Sequence, residues 1–251
     1  MSILRRILEE ASNQTLTNEP LLAIFDLDST LFDLTLRMVR IVENFGESPE
    51  WQALYPKECA ALKALPIRSS DWGLKEALER VGILESGSPN FYRDLHLHWA
   101  ACFFSGDWLH HDEPLPGALD FVLELQKRGA HITYLTGRDV PRMQVGTVKT
   151  LAAQGFPVDG PGVEVILKPK ADMDDARFKV DYMKTLLPQY KRIWLFENEP
   201  VNLNLTAKEL PEVQLVFIDS CHSGREEVSE TLDRITHFEV TLDEMKSESS
   251  T

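Results

Sequence analysis

Asp26 and Asp28 stand two residues apart at the end of the apolar run Leu21-Leu22-Ala23-Ile24-Phe25, and the hydroxyl of Thr30 follows them. Two carboxylates leaving a buried strand together repel, by about 4 kcal/mol at ~4 Å with an effective dielectric of about 20. A chain that keeps such a pair has use for a cation beside it, and hard oxygen donors favour Mg²⁺. The same residues also read as an Asp-rich turn that caps the next helix. On this stretch alone both readings stand.

An unbroken apolar run suits a strand buried on both faces of a parallel sheet, and ligands of such sheets sit beyond the carboxyl ends of the strands. Four more strand-like runs follow, each with one or two polar residues: 130–135, 163–167, 192–196 and 213–218. Helical patterns separate them at 117–129, 141–154 and 178–187, and Ile3, Leu4, Ile7 and Leu8 predict a helix over 2–12. Strands alternating with helices at this spacing predict a doubly wound, Rossmann-like α/β sheet. The rhythm breaks once. Between Phe32 and His111 nothing reads as a strand. Helices are expected there along the face Leu34, Met38, Ile41, Val42 and Phe45, then at 49–65, 72–81 and 90–108. Beyond Ser223 the chain is acidic and polar, and its last residues are expected to fray.

Polar residues cluster at the predicted strand ends: Asp26 and Asp28, Thr136 to Arg138, Glu197 to Glu199, with Lys168 after the third strand and Lys179 opening a helix. At this point the chain resembles the haloacid dehalogenase (HAD) superfamily of phosphotransferases. Asp26-Leu27-Asp28-Ser29-Thr30 matches the first motif, Asp-x-Asp-x-Thr, and Thr136 in Leu-Thr-Gly-Arg matches the second. The resemblance covers Leu21 to Asp219. It implies a discontinuous α/β core (1–32 and 114–251) and an all-helical cap domain (33–113).

The resemblance also implies roles. Asp26 is the expected nucleophile, forming an aspartyl phosphate, and Asp28 the general acid, then base. An acid at position 28 favours phosphate esters over dehalogenation, where no leaving oxygen needs a proton. Thr136 holds a phosphoryl oxygen, and Gly137, Arg138 and Lys168 stand as substrate contacts, although Arg138 also reads as a brace for its loop. Lys179 is favoured over Lys168 and Lys170 as the phosphate-pairing catalytic lysine. Mg²⁺ is expected between Asp26, the Asp28 backbone carbonyl and Glu197, with Asn198 and Asn202 acting through water. The acidic motif is usually built on Asp, so Glu197 departs from the pattern, and Glu199 reads as a cap of the next helix. The expected activity is a Mg²⁺-dependent phosphomonoester hydrolase acting on a small soluble phosphorylated metabolite. A phosphomutase of the same fold and a non-catalytic phospho-ligand binder remain as alternatives.

Other features bound this reading. A net charge of −14 over 251 residues lacks the basic footprint that nucleic acid or an anionic membrane needs. Cys59, Cys102 and Cys221 are far apart and form no Cys-x-x-Cys pair, which with the absence of a signal-like start predicts a cytoplasmic protein. No apolar run approaches the ~20 residues of a membrane span. His96, His98, His110 and His111 lack metal-site spacing and read as solvated or packed side chains. Cys221-His-Ser-Gly-Arg225 reads as a turn after the fifth strand. Trp72, Trp99, Phe103, Phe104 and Trp108 read mostly as core of the insertion, with one or two facing substrate.

Overall fold

A computed structural model describes residues 1–16 and 19–240. Its strands are β1 (Leu22–Phe25), β2 (Phe32–Asp33), β3 (Glu113–Pro114), β4 (His131–Asp139), β5 (Val163–Lys168), β6 (Ile193–Glu197), β7 (Gln214–Ile218) and β8 (Asp233–Ile235). Six of them form one parallel sheet in the order β5-β4-β1-β6-β7-β8. The five predicted runs all lie in it, and β1 is central, pairing Leu22 with His131 on one side and Ile193 on the other.

Helix α1 (Ile3–Leu16) precedes β1. Between β2 and β3 run α2 (Thr35–Glu47), α3 (Pro49–Leu54), α4 (Pro56–Leu62), α5 (Leu74–Arg80), α6 (Ile83–Ser86), α7 (Phe91–Phe103) and a 3-10 turn, Gly106–His111. The crossovers of the sheet are α8 (Ala118–Lys127), α9 (Val140–Ala153), α10 (Asp175–Leu186) and α11 (Pro200–Glu209). Alternation along β1 sorts its side chains between two layers. Ala23 and Phe25 pack with Ile7 and Leu8 of α1 and Phe121 of α8. Leu22 and Ile24 pack with Val180 and Met183 of α10 and Leu203 of α11. Phe25 stacks on Phe196 of β6, with centroids 4.5 Å apart, which fixes the side-by-side register of the two strands that carry Asp26 and Glu197.

Three local differences from the sequence-based expectation have plain causes. The helix expected over 49–65 is two, because Pro56 lacks an N–H and pushes Tyr55 out of helical geometry (φ −132°, ψ 56°). The helix expected over 90–108 ends at Phe103, and the chain resumes as the 3-10 turn from Gly106. The sixth strand, β8, falls in the polar stretch after Ser223, where an edge strand needs little apolar patterning. The fraying expected of the last residues lies outside the described residues. A two-residue ribbon was also missed: β2 and β3 pair antiparallel, Phe32 with Pro114 and Asp33 with Glu113, so the helical region leaves and re-enters the sheet at one place.

The 3-10 turn packs against α9 at two glycines. A Cβ on Gly146 would lie 2.2 Å from the Gly106 carbonyl oxygen and 2.5 Å from its Cα, with only backbone to yield. Gly146→Ala is expected to lower the urea midpoint by an amount equivalent to about 1–3 kcal/mol, a typical overpacking cost. An unchanged midpoint would contradict this close approach.

Candidate active site

Because the six strands are parallel, their carboxyl ends share one sheet edge, and this is where the charged residues meet. Asp26 follows β1, Glu197 ends β6, and Lys179 lies on the buried face of α10. The Lys179 Nζ donates to Asp26 Oδ1 and to Glu197 Oε2, each at 2.6 Å. All three side chains are at most 7% exposed. Burial pushes Asp26 up to about 7, with Lys179 pulling it down and Glu197 adding repulsion. Burial works to lower Lys179, but Asp26 and Glu197 hold it above the usual ammonium range. Two carboxylates thus share one ammonium, and the cluster is short of positive charge.

A second cluster adjoins it. Asp28 Oδ1 accepts from Arg37 Nη2 at 2.7 Å and from Arg138 Nη2 at 2.6 Å, and its Oδ2 accepts from Arg138 Nε at 3.1 Å. Arg138 Nη2 also donates to Asp112 Oδ2 at 2.7 Å, and Arg37 Nε lies 2.9 Å from Asp112 Oδ1 as an ion pair. The four charges close a ring. It ties the end of β1, helix α2, the residue before β3 and the end of β4. Desolvation would raise Asp28, yet Arg138 and Arg37 more than offset it and hold the carboxyl well below the usual range. Burial pushes Asp112 up against its two arginines.

The remaining predicted residues divide. Thr136 is buried and lines the same cavity as Asp26, Asp28, Lys179 and Glu197, together with Gly137 and Arg138. Gly137 admits Asp175, whose Oδ2 would lie 2.6 Å from any Cβ there. Lys168 is not brought to the cluster. Its Nζ donates to the Ala171 and Met173 carbonyls at 3.2 and 3.0 Å and pairs with Asp175 at 2.5 Å, so it closes its own loop. Asn198 lines the cavity and is tied on both sides: its Oδ1 accepts from Thr30 Oγ1 and its Nδ2 donates to the Cys221 carbonyl. Asn202 lines the cavity.

Glu199 occupies the N-cap position of α11, but its carboxylate makes no capping bond there. It accepts instead from the Ser223 N–H at 3.0 Å and Oγ at 2.6 Å, which draws the 221–225 turn over the site. Burial pushes the Cys221 thiol in that turn up to about 12, a protonated and unreactive sulfur.

Arg37 and Asp112 escaped the sequence reading. One signal was available: Arg37 shares the helix face of Leu34, Met38 and Ile41, so a charge interrupts the apolar stripe where it turns toward the sheet.

The donor set suits Mg²⁺. Asp26 and Glu197 are hard oxygen donors already converging on one cation, the Lys179 ammonium, within 2.6 Å. Among the described residues no three His, Cys, Asp or Glu side chains converge on a point. Two carboxylates, a backbone carbonyl and water form a set that Mg²⁺ accepts, since it keeps several of its waters.

The ring predicts a stability effect. Arg37→Met leaves fully buried Asp112 with one partner and is expected to cost about 3–5 kcal/mol in urea unfolding. The double variant Arg37→Met/Asp112→Leu is expected to recover part of that loss. A loss in the single variant below ~1 kcal/mol, the value of an exposed pair, would contradict a buried ring.

No protein-family model matches the chain, and no curated protein matches it in sequence. Among solved structures it is similar to Protein Tyrosine Kinase A of Mycobacterium tuberculosis, with TM-score 0.54, 16% identity, and 90% of this chain and 96% of that one covered. A putative phosphatase from Clostridium difficile gives TM-score 0.49 at 10% identity, covering 82% of this chain and 88% of that chain. A haloacid dehalogenase-like family hydrolase from Streptococcus pneumoniae gives 0.44 at 14% identity, covering 78% and 84%. At these identities the likeness is one of fold. What the chain shares with Protein Tyrosine Kinase A is an α/β fold, here a six-stranded parallel sheet with a helical region placed between β1 and β4.

Proposed function

We propose that the protein is a Mg²⁺-dependent phosphomonoester hydrolase acting on a small phosphorylated metabolite through an aspartyl phosphate on Asp26. The observation that carries this reading is the buried Lys179 ammonium held between Asp26 and Glu197 at the sheet edge, beside Thr136. Asp26 attacks phosphorus, a P–O bond forms to its carboxylate, and the bond to the leaving oxygen breaks. Lys179 and the Thr136 hydroxyl hold phosphoryl oxygens during that displacement. Water then attacks the same phosphorus, passing its proton to a base, and inorganic phosphate leaves while Asp26 is restored. Asp26, the Asp28 backbone carbonyl and Glu197 would hold Mg²⁺. When bound, the ion supplies the positive charge that lets an anionic nucleophile meet a dianionic ester.

Asp28 is the group assigned to proton transfer in both steps. Its arginine partners keep the carboxylate ionised, which is the form the second step requires. Donation to the leaving oxygen in the first step requires Arg37 and Arg138 to release it. In this reading residues 33–113 are a cap domain over a core of 1–32 and 114–251, and its aromatic side chains roof the cleft and exclude water. Three free thiols in one chain favour a reducing, cytoplasmic setting. No described helix is long and apolar enough to cross a membrane.

The test is phosphate release from an aryl phosphate with and without Mg²⁺. Asp26→Asn is expected to abolish release while leaving the circular-dichroism spectrum and unfolding transition in place. Near-normal release by this variant would overturn the mechanism. Glu197→Gln is expected to raise the Mg²⁺ concentration for half activity, and Glu199→Gln to shift it little, since Glu199 is turned to Ser223. A larger shift in Glu199→Gln would give the metal to the other carboxylate.

A further inference from the structure

The cavity beyond the acidic cluster has a volume of about 360 Å³, and its far wall is unlike its floor. The floor is charged. The wall is supplied by Met38, Trp72, Trp99, Phe103 and Phe104 of the helical region, with Met143 of α9. Trp108, the fifth aromatic of the expected set, is not part of it. Trp99 stacks on Phe103 with centroids 4.7 Å apart and planes 28° from parallel, and Phe104 stands edge-on to both, at 6.0 and 5.2 Å. Arg37, a member of the charged ring, lies over the Phe103 ring at 4.2 Å and joins the wall to the floor.

Two facts decide what this wall can hold. Part of its aromatic surface is not spent on packing: Trp72 is 51% exposed and Phe104 39% exposed, although both are large apolar groups. The two carboxylates that the helical region brings to the cavity, by contrast, are already engaged: Asp33 Oδ1 accepts from the Thr35 N–H at 2.7 Å. Asp71 accepts from both guanidinium nitrogens of Arg80, the shorter bond being 2.6 Å, and from the Arg68 N–H at 2.8 Å. A leaving group rich in hydroxyls would therefore lose water against indole and phenyl faces, where both carboxylates already accept from the protein. A flat ring would gain from the same surface, by area and by stacking geometry. The volume is at the small end of ligand pockets, enough for a phosphoryl group and a leaving group of one or two rings.

We propose that the substrate is a phosphomonoester whose leaving group carries a planar aromatic ring, seated against Trp72 and Trp99. This inference rests on the phosphatase reading of Asp26. The ring is oriented away from the charged floor, so the phosphoryl group enters first and the aromatic group closes the mouth behind it.

Aryl phosphates alone would mislead as probes, because a phenolate leaves more easily than an alkoxide whatever the wall does. The test therefore compares three alkyl esters of similar leaving-group basicity on the full chain with Mg²⁺: 2-phenylethyl phosphate, hexyl phosphate and glycerol 3-phosphate. The expected kcat/KM for the phenylethyl ester exceeds each of the others by about tenfold, the size of one stacked and buried ring. In Trp72→Ala, a change at a half-exposed side chain that threatens no core, the phenylethyl-to-glycerol ratio is expected to fall by about fivefold, mainly through KM. Equal kcat/KM for all three esters would overturn the inference and leave the phosphatase reading standing. Hexyl phosphate matching the phenylethyl ester would show an apolar but not an aromatic preference, and would overturn it too. A preference unchanged in Trp72→Ala would remove the wall as its cause. Hydrolysis of none of the three, nor of an aryl phosphate, would sink the phosphatase reading itself.

Discussion

A single buried ammonium shared by two carboxylates is the interaction on which the rest depends. Lys179 and Glu197 come from the consecutive elements α10 and β6 and Asp26 from the end of β1, 153 residues before Lys179, and none of the three charges could be buried alone. Removing water from each charged group costs several kcal/mol, and only close pairing with good hydrogen-bond geometry offsets it. The stack of Phe25 on Phe196 and the parallel register of β1 with β6 deliver that geometry. Even so, one ammonium faces two carboxylates, and Asp26 is pushed up to about 7, chiefly by burial and further by the Glu197 carboxylate. In the proposed mechanism this deficit is what a Mg²⁺ ion would make good, so that a phosphoryl group can approach.

The ring of Asp28, Arg37, Asp112 and Arg138 solves a different problem. It balances its own charges, two against two, and so adds no net charge to the cleft. Its members sit where the helical region leaves the sheet and where it returns, next to the β2–β3 ribbon. Any rotation of the helical region about that ribbon moves Arg37 and Asp112 relative to Asp28 and Arg138. The position of the region and the hydrogen bonding of Asp28 are therefore coupled by construction.

Much of this arrangement was legible in the chain. The buried strands announce themselves as strand-like runs, and polar residues at their ends mark one sheet edge, which located Asp26, Thr136 and Glu197; Lys179 came from the resemblance. The lysines show where such reading stops. Lys168 stands at a strand end and Lys179 inside a helix, yet only Lys179 reaches the cluster, because its helix buries that face whereas Lys168 closes its own loop. Arg37 was passed over because a lone charge in an amphipathic pattern reads as solvated, and Asp112 because its partners are 26 and 75 residues away. Pairings of that range leave no local trace. The edge strand β8 was hidden for a related reason: its partner β7 supplies the ladder, and its own sequence needs only to be compatible.

The account stands on Asp26 as the atom that takes the phosphoryl group, and this can be observed directly. The protein with Mg²⁺ is mixed with a phosphate ester, quenched in acid during turnover, digested and analysed by mass spectrometry. The account predicts one phosphoryl group on the peptide carrying Asp26, removable by hydroxylamine as an acyl phosphate is. A phosphoryl group on another residue, or turnover at full rate with none found at any time, would contradict it.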